Sequence, residues 1–194
     1  MSLETYQPDI EPYFKLYCIE SVPDMEQHTH SKVWRFLEKL ATHYDIHNIY
    51  KACEDMESLE ASLGHLIYED MEDSDFRVLY FILEGEGNEI ILNDAVYQLE
   101  ELAEMFEGKL KNRVIHFANT KSLDLSEDTF QYFLDVTGAL AISGYAHSSP
   151  IFSATLDLHY FSLYREFDDV VDLVHKLYET QGKLYHAMGF RLYY

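Results

Sequence analysis

The feature that most constrains the fold is the run at 76–83, Phe-Arg-Val-Leu-Tyr-Phe-Ile-Leu, the most continuous apolar stretch in the chain. It is rich in aromatic and β-branched residues and too short for an independent helix, so it reads as a strand. A strand apolar on both faces needs cover on both faces, which is the situation of a central strand in a parallel sheet. The chain is 194 residues long, 47% hydrophobic and 25% charged. That is enough for about one domain and argues against disorder.

The flanking segments supply the cover. Residues 1–12 form an unpatterned lead-in tail, and 13–194 read as a single domain. Strands are expected at 13–20, 46–52, 76–83, 113–118 and 139–145, with an edge strand at 190–194. Between them helices are expected at 32–44, capped by Ser31, at 58–69, at 99–106, closed by Gly108, and at 126–137, capped by Ser126 and ended by Gly138. Two longer helices occupy 152–167 and 168–185. In the first helix Val33, Trp34, Leu37 and Leu40 make an apolar stripe. Glu84 to Asn88 reads as a tight turn, followed by short strands at 89–92 and 96–97 that suggest a small hairpin. This alternation predicts an α/β three-layer sandwich: a mostly parallel sheet of about six strands with helices on both faces.

Charge narrows the function. Lys and Arg total 14 against 35 Asp and Glu, a formal net charge of −21. A nucleic-acid binder needs surplus cations, and docking on anionic lipid needs the same, so neither partner is expected. The start of the chain has no basic region followed by an apolar one, and the longest apolar runs are under ten residues, so a cytoplasmic protein without membrane spans is expected. Cys18 and Cys53 fall in different expected strands and read as two buried thiols. The CxxC, HExxH, GxxxxGK[ST] and GxGxxG signatures are absent, and no cofactor or dedicated metal site is expected. Glu26, His28 and His30 have a metal-like spacing, but they lie in a loop without a partner Cys and suggest only adventitious binding. The acidic residues at 54, 57, 60 and 69–75 lack the EF-hand spacing and read as solvated surface.

In an open α/β sheet ligands sit beyond the carboxyl ends of the strands. That rule singles out Glu20 and Ser21 after the first strand, and Glu84, Gly85, Glu86 and Asn88 after the third. It also selects Asn119, Thr120 and Lys121 after the fourth strand, and Ser143, Tyr145 and His147 after the fifth. Thr120 and Ser143 are the hydroxyls available as nucleophiles, and His147 and Glu84 the bases. His116, inside a strand, reads as a satisfied core histidine.

The strand ending in Glu84-Gly85 and a hairpin, the Arg-Val-Ile-His-Phe strand ending in small polar residues, and the Ala-Ile-Ser-Gly-Tyr strand together resemble the caspase-like fold (clan CD, CHAT-related), in particular a bacterial caspase-like family, over about residues 13–150. In that family a His-Gly pair after the third strand carries the catalytic imidazole, and a cysteine after the fourth carries the thiolate. Here the matching positions hold Glu84 and Thr120. The resemblance therefore implies a degenerate member without peptidase chemistry, because a threonine hydroxyl beside a carboxylate is a poor substitute for a low-pKa thiolate beside an imidazole.

Three functions follow as expectations. The first is a catalytically inactive, acidic interaction module for a basic protein partner, with the tyrosines at 160, 164, 178, 185, 193 and 194 either interface contacts or core. The second is a hydrolase with a rebuilt site using Glu84, Thr120, Ser143 or His147. The third is a nucleic-acid mimic whose carboxylates engage a basic protein. Pairing through the strand at 190–194 would make a homodimer.

Overall fold

The computed structural model describes residues 15–23, 31, 33–68, 76–118, 121–147 and 149–194. The expected tail, the Glu26/His28/His30 loop, the acidic stretch at 69–75, and Asn119 and Thr120 lie outside them. Along the chain run β1 (Lys15–Ser21), α1 (Val33–Tyr44), β2 (His47–Cys53), α2 (Met56–Tyr68) and β3 (Phe76–Ile82). A hairpin region follows, made of β4 (Glu84–Glu86), β5 (Glu89–Leu92) and β6 (Ala95–Gln98). Then come α3 (Leu99–Met105), β7 (Val114–Phe117), α4 (Glu127–Thr137), β8 (Ala141–Tyr145), α5 (Pro150–Leu163), α6 (Val170–Met188) and β9 (Phe190–Tyr193).

The main sheet has six strands in the order β2-β1-β3-β7-β8-β9, and β4-β5-β6 form a separate antiparallel sheet. The first five strands of the main sheet are parallel, while β9 runs antiparallel to β8. The reversal follows from the connection. One helix between two strands returns the chain to the same end of the sheet, whereas the pair α5–α6 returns it to the opposite end.

Strand alternation sorts side chains into two cores. Leu79 and Phe81 of β3, Ile115 and Phe117 of β7 and Ile142 of β8 pack with Leu59 and Leu63 of α2, Leu102 of α3 and Phe133 of α4. Val78 and Tyr80, Val114, Ala141 and Tyr145 face Leu37 and Leu40 of α1, Leu156 and Phe161 of α5 and Leu173 and Leu177 of α6. The expected three-layer α/β sandwich is thus present. Cys18 belongs to the second core and Cys53 to the first, so the sheet separates two free, buried thiols.

Several local expectations need correction. Glu84–Glu86 is a strand rather than part of a turn, and the reversal occurs at Gly87, with φ of 66°. Trp34 leaves the apolar stripe of α1 and is 53% exposed. The apolar face instead runs through Val33, Leu37 and Leu40, the spacing that keeps residues on one side of a helix. Helix α3 ends at Met105 with Phe106 as its C-cap, short of Gly108. Capping by Ser126, whose Oγ accepts from Thr129 N–H, and termination at the left-handed Gly138 agree with expectation. No helix among the described residues is long and apolar enough to cross a membrane.

Candidate functional site

The carboxyl ends of β1, β3, β7 and β8 meet at one edge of the sheet. The hairpin is locked there by its glycine. Gly85 pairs with Ile90, and a Cβ at this position would lie 2.1 Å from the Glu89 carbonyl oxygen, so no side chain fits. Glu84 beside it is exposed and lines a shallow groove with Ser21, Pro23, Ile91, Asn93 and Asp94. The loop after β7 is stitched to this hairpin. Ala118 N–H donates to Phe81 O at 2.9 Å, Lys121 N–H to Gly85 O at 2.8 Å, and Gly87 N–H to Ser122 O at 2.6 Å. Positions on both sides of Asn119 and Thr120 are therefore anchored to the strand and turn that carry Glu84. Glu86 is exposed at the same rim, 3.9 Å from Lys121 Nζ.

His147 is also exposed, where its backbone N–H donates to Met188 O at 3.1 Å. Strands β3 and β8 flank β7, which separates their ends by roughly 10 Å, two strand spacings. His147 and Glu84 thus occupy different parts of the edge. Ser143 and Tyr145 are not beyond a strand end, as expected, but inside β8 and fully buried. Glu20 and Ser21 likewise fall within β1 rather than after it.

Ser143 instead joins a polar cluster under the sheet. Its Oγ lies 2.8 Å from His116 Nδ1, and His116 Nε2 lies 2.9 Å from Asp157 Oδ1. Tyr80 OH donates to Asp157 Oδ2 at 2.8 Å, and Tyr145 OH donates to Oδ1. Tyr160 OH is 3.2 Å from Ser143 Oγ and 2.9 Å from Tyr164 OH. Asp157 is thus met on its two oxygens by the hydroxyls of Tyr80 and Tyr145 and by the Nε2 edge of His116. Burial, followed by the Asp157 charge, pushes the Tyr80 and Tyr145 hydroxyls well up, which keeps them donors.

A serine, an imidazole and a carboxylate in series invite comparison with a hydrolase triad. The imidazole nitrogens are used in the reverse sense, with Nδ1 on serine and Nε2 on the acid. Ser143, His116 and Asp157 are each 0% exposed, so no substrate reaches the hydroxyl. His116 is thus the satisfied core histidine expected from its place in a strand. Asp157 was not anticipated. Its signal was a single acid in an α5 sequence, Pro-Ile-Phe-Ser-Ala-Thr-Leu-Asp-Leu-His-Tyr-Phe-Ser-Leu, with no other Asp, Glu, Lys or Arg.

Neither cysteine offers a nucleophile. Burial, and then Glu20, pushes the Cys18 thiol well up, while burial, Asp55 and Glu20 raise Cys53 to about 12. Among the described residues no group of three His, Cys, Asp or Glu is arranged to hold a metal ion. The tyrosines divide: Tyr160 and Tyr164 are core, Tyr185 and Tyr193 half-buried, and Tyr178 and Tyr194 exposed.

The sheet order, the hairpin after β3 and the antiparallel sixth strand define a caspase-like α/β fold. The solved structure of caspase-1 from Spodoptera frugiperda aligns with a TM-score of 0.53 at 12% identity, covering 87% of this chain and 77% of that one. At that identity the likeness speaks for the fold alone. The chain belongs to the family described as "Family of unknown function (DUF6642)", matched over residues 13–194. No curated protein matches it in sequence.

Proposed function

We propose that this chain is a catalytically inactive caspase-like protein that works as an acidic interaction module for a basic protein partner. The observation that carries the reading is Glu84. The position after β3 that such a fold gives to an imidazole holds an exposed carboxylate, fixed beside the unsubstitutable Gly85. The chain's cysteines are buried, protonated and on strands β1 and β2, and His116 is consumed by Asp157. A net charge of −21 favours encounter with cationic surfaces at moderate salt.

The test pairs chemistry with binding. A panel of peptide, ester and phosphoester substrates should show no turnover above buffer for the wild type, Glu84→Ala or Thr120→Ala. Cleavage by the wild type that either substitution abolishes would replace this reading with the hydrolase. Capture of a basic protein should weaken as salt rises through the range where the screening length falls from about 10 Å to about 3 Å. Salt-independent capture would remove the electrostatic role.

A second copy is a further partner under the same proposal. Strand β9 lies at the sheet margin, with β8 on one side and no strand among the described residues on the other. Light scattering at rising concentration should show a dimer that a proline at Arg191 or Leu192 reduces to monomer. A monomeric mass throughout would exclude it.

A further inference from the structure

The opposite margin of the sheet carries an arrangement that the catalytic comparison does not use. Trp34, the single tryptophan of the chain, sits in the first turn of α1 with 53% of its surface exposed. Its ring lies 4.7 Å from that of Tyr50, tilted by 43°. Tyr50 belongs to β2, the strand at the edge of the sheet. Its hydroxyl donates to Glu20 Oε2 at 2.6 Å, at the end of the adjoining strand β1. Glu20 is half-buried. An indole face, a phenol and a carboxylate thus converge at one surface point, and no cation among the described residues lies over the indole.

Each component favours the same guest. Aromatic faces attract cations through the negative potential above the ring, and indole does so best. A carboxylate beside the rings supplies the complementary charge, and the field of a −21 chain draws cations from a distance. Guanidinium is planar and weakly hydrated, so it stacks on a ring while pairing with an acid. We infer that Trp34, Tyr50 and Glu20 form a docking point for a basic side chain, arginine above lysine, of a partner segment lying along the β2 edge. This rests on the proposed acidic module and locates its contact surface.

The intrinsic fluorescence of Trp34 gives the readout. A short arginine-rich peptide titrated into the full chain at low salt should change the emission saturably. The same peptide with lysine should bind more weakly, and with glutamine not at all. By calorimetry, Trp34→Ala and Glu20→Gln should each weaken the arginine peptide about two- to fivefold, the span of an exposed cation–π contact. Trp34→Phe should retain part of the affinity, and Glu104→Gln, an equal charge loss on α3, should leave it unchanged. Circular dichroism establishes that each variant is folded. If the peptide binds all variants equally, the docking point is wrong while the acidic module stands. If the wild type binds no cationic peptide at low salt, both fail. Equal binding of the glutamine peptide also overturns the inference.

Discussion

The two faces of the sheet are built by the same strands and solve burial differently. On the face covered by α2, α3 and α4, the buried side chains that β3, β7 and β8 contribute are all apolar. On the face covered by α1, α5 and α6, the alternate residues of those strands bring Tyr80, His116, Ser143 and Tyr145 inward around Asp157. The first face gains from area removed from water and tolerates changes that conserve volume. The second gains little net energy from its buried hydrogen bonds but is intolerant of losing any member, because each loss leaves a buried polar group without its partner. Adjacent residues in one strand, Ile115 and His116, therefore answer to different rules.

Shape-conserving substitutions break that comparison most directly. Asp157→Asn keeps the volume but presents an amide N–H₂ to groups that need an acceptor. It should cost about 1–3 kcal/mol for each donor left without one. Leu102→Met on the other face should cost under about 1.5 kcal/mol. Urea unfolding of both variants decides the matter, and equal small losses would mean that the polar cluster is not the lock described. Gly144→Ala tests how closely the loop after β7 presses on the sheet. Its Cβ would lie 2.7 Å from Leu123 Cδ2 and 2.9 Å from Phe117 O, so a loss of about 1–3 kcal/mol is expected by the same measurement.

Smaller effects sharpen the picture at its margins. Ser126→Ala should cost about 1 kcal/mol by removing the cap of α4, read from the thermal midpoint. The smallest effect near neutrality comes from Cys53, whose folded thiol is raised to about 12. The unfolded thiol ionises near about 8.5, so above that pH the folded state holds a proton that the unfolded state has lost. Stability from this group is complete below about pH 8.5 and declines as pH rises toward 12. Cys53→Ala should flatten the alkaline decline relative to wild type, and an unchanged slope would place its cause in Cys18 and the buried tyrosines.

The mostly parallel sheet with helices on both faces was legible because 76–83 has apolar residues on both faces and the helices between strands carry 3.6-residue stripes, whereas the order of the strands across the sheet was not. Capping at Ser126 and Gly138 was legible because both act through local backbone geometry. Tertiary placement was not. Trp34 has the character of a core residue, yet it stands one residue beyond Val33, and that step of about 100° around the helix takes it off the buried face. Ser143 lies inside the strand expected at 139–145, and its neighbours in sequence do not reveal that both faces of that strand are covered, so its hydroxyl was read as accessible at the strand end when it is buried. Asp157 lies on a helix far in sequence from His116, and nothing local announces a partner across that distance. Glu84 was selected by topology alone, since the strand-end rule needs only the order of elements.

The two-helix return that makes β9 antiparallel also sets an order of events during synthesis. Strand β8 can pair with β7 as soon as it leaves the ribosome, but its other margin stays open until α5 and α6 have been made and β9 arrives. Throughout that interval the Ala-Ile-Ser-Gly-Tyr segment offers unpaired amides to any neighbouring nascent chain. Vectorial production therefore leaves this margin as the place where misassembly would begin, and where a holding chaperone would be needed most.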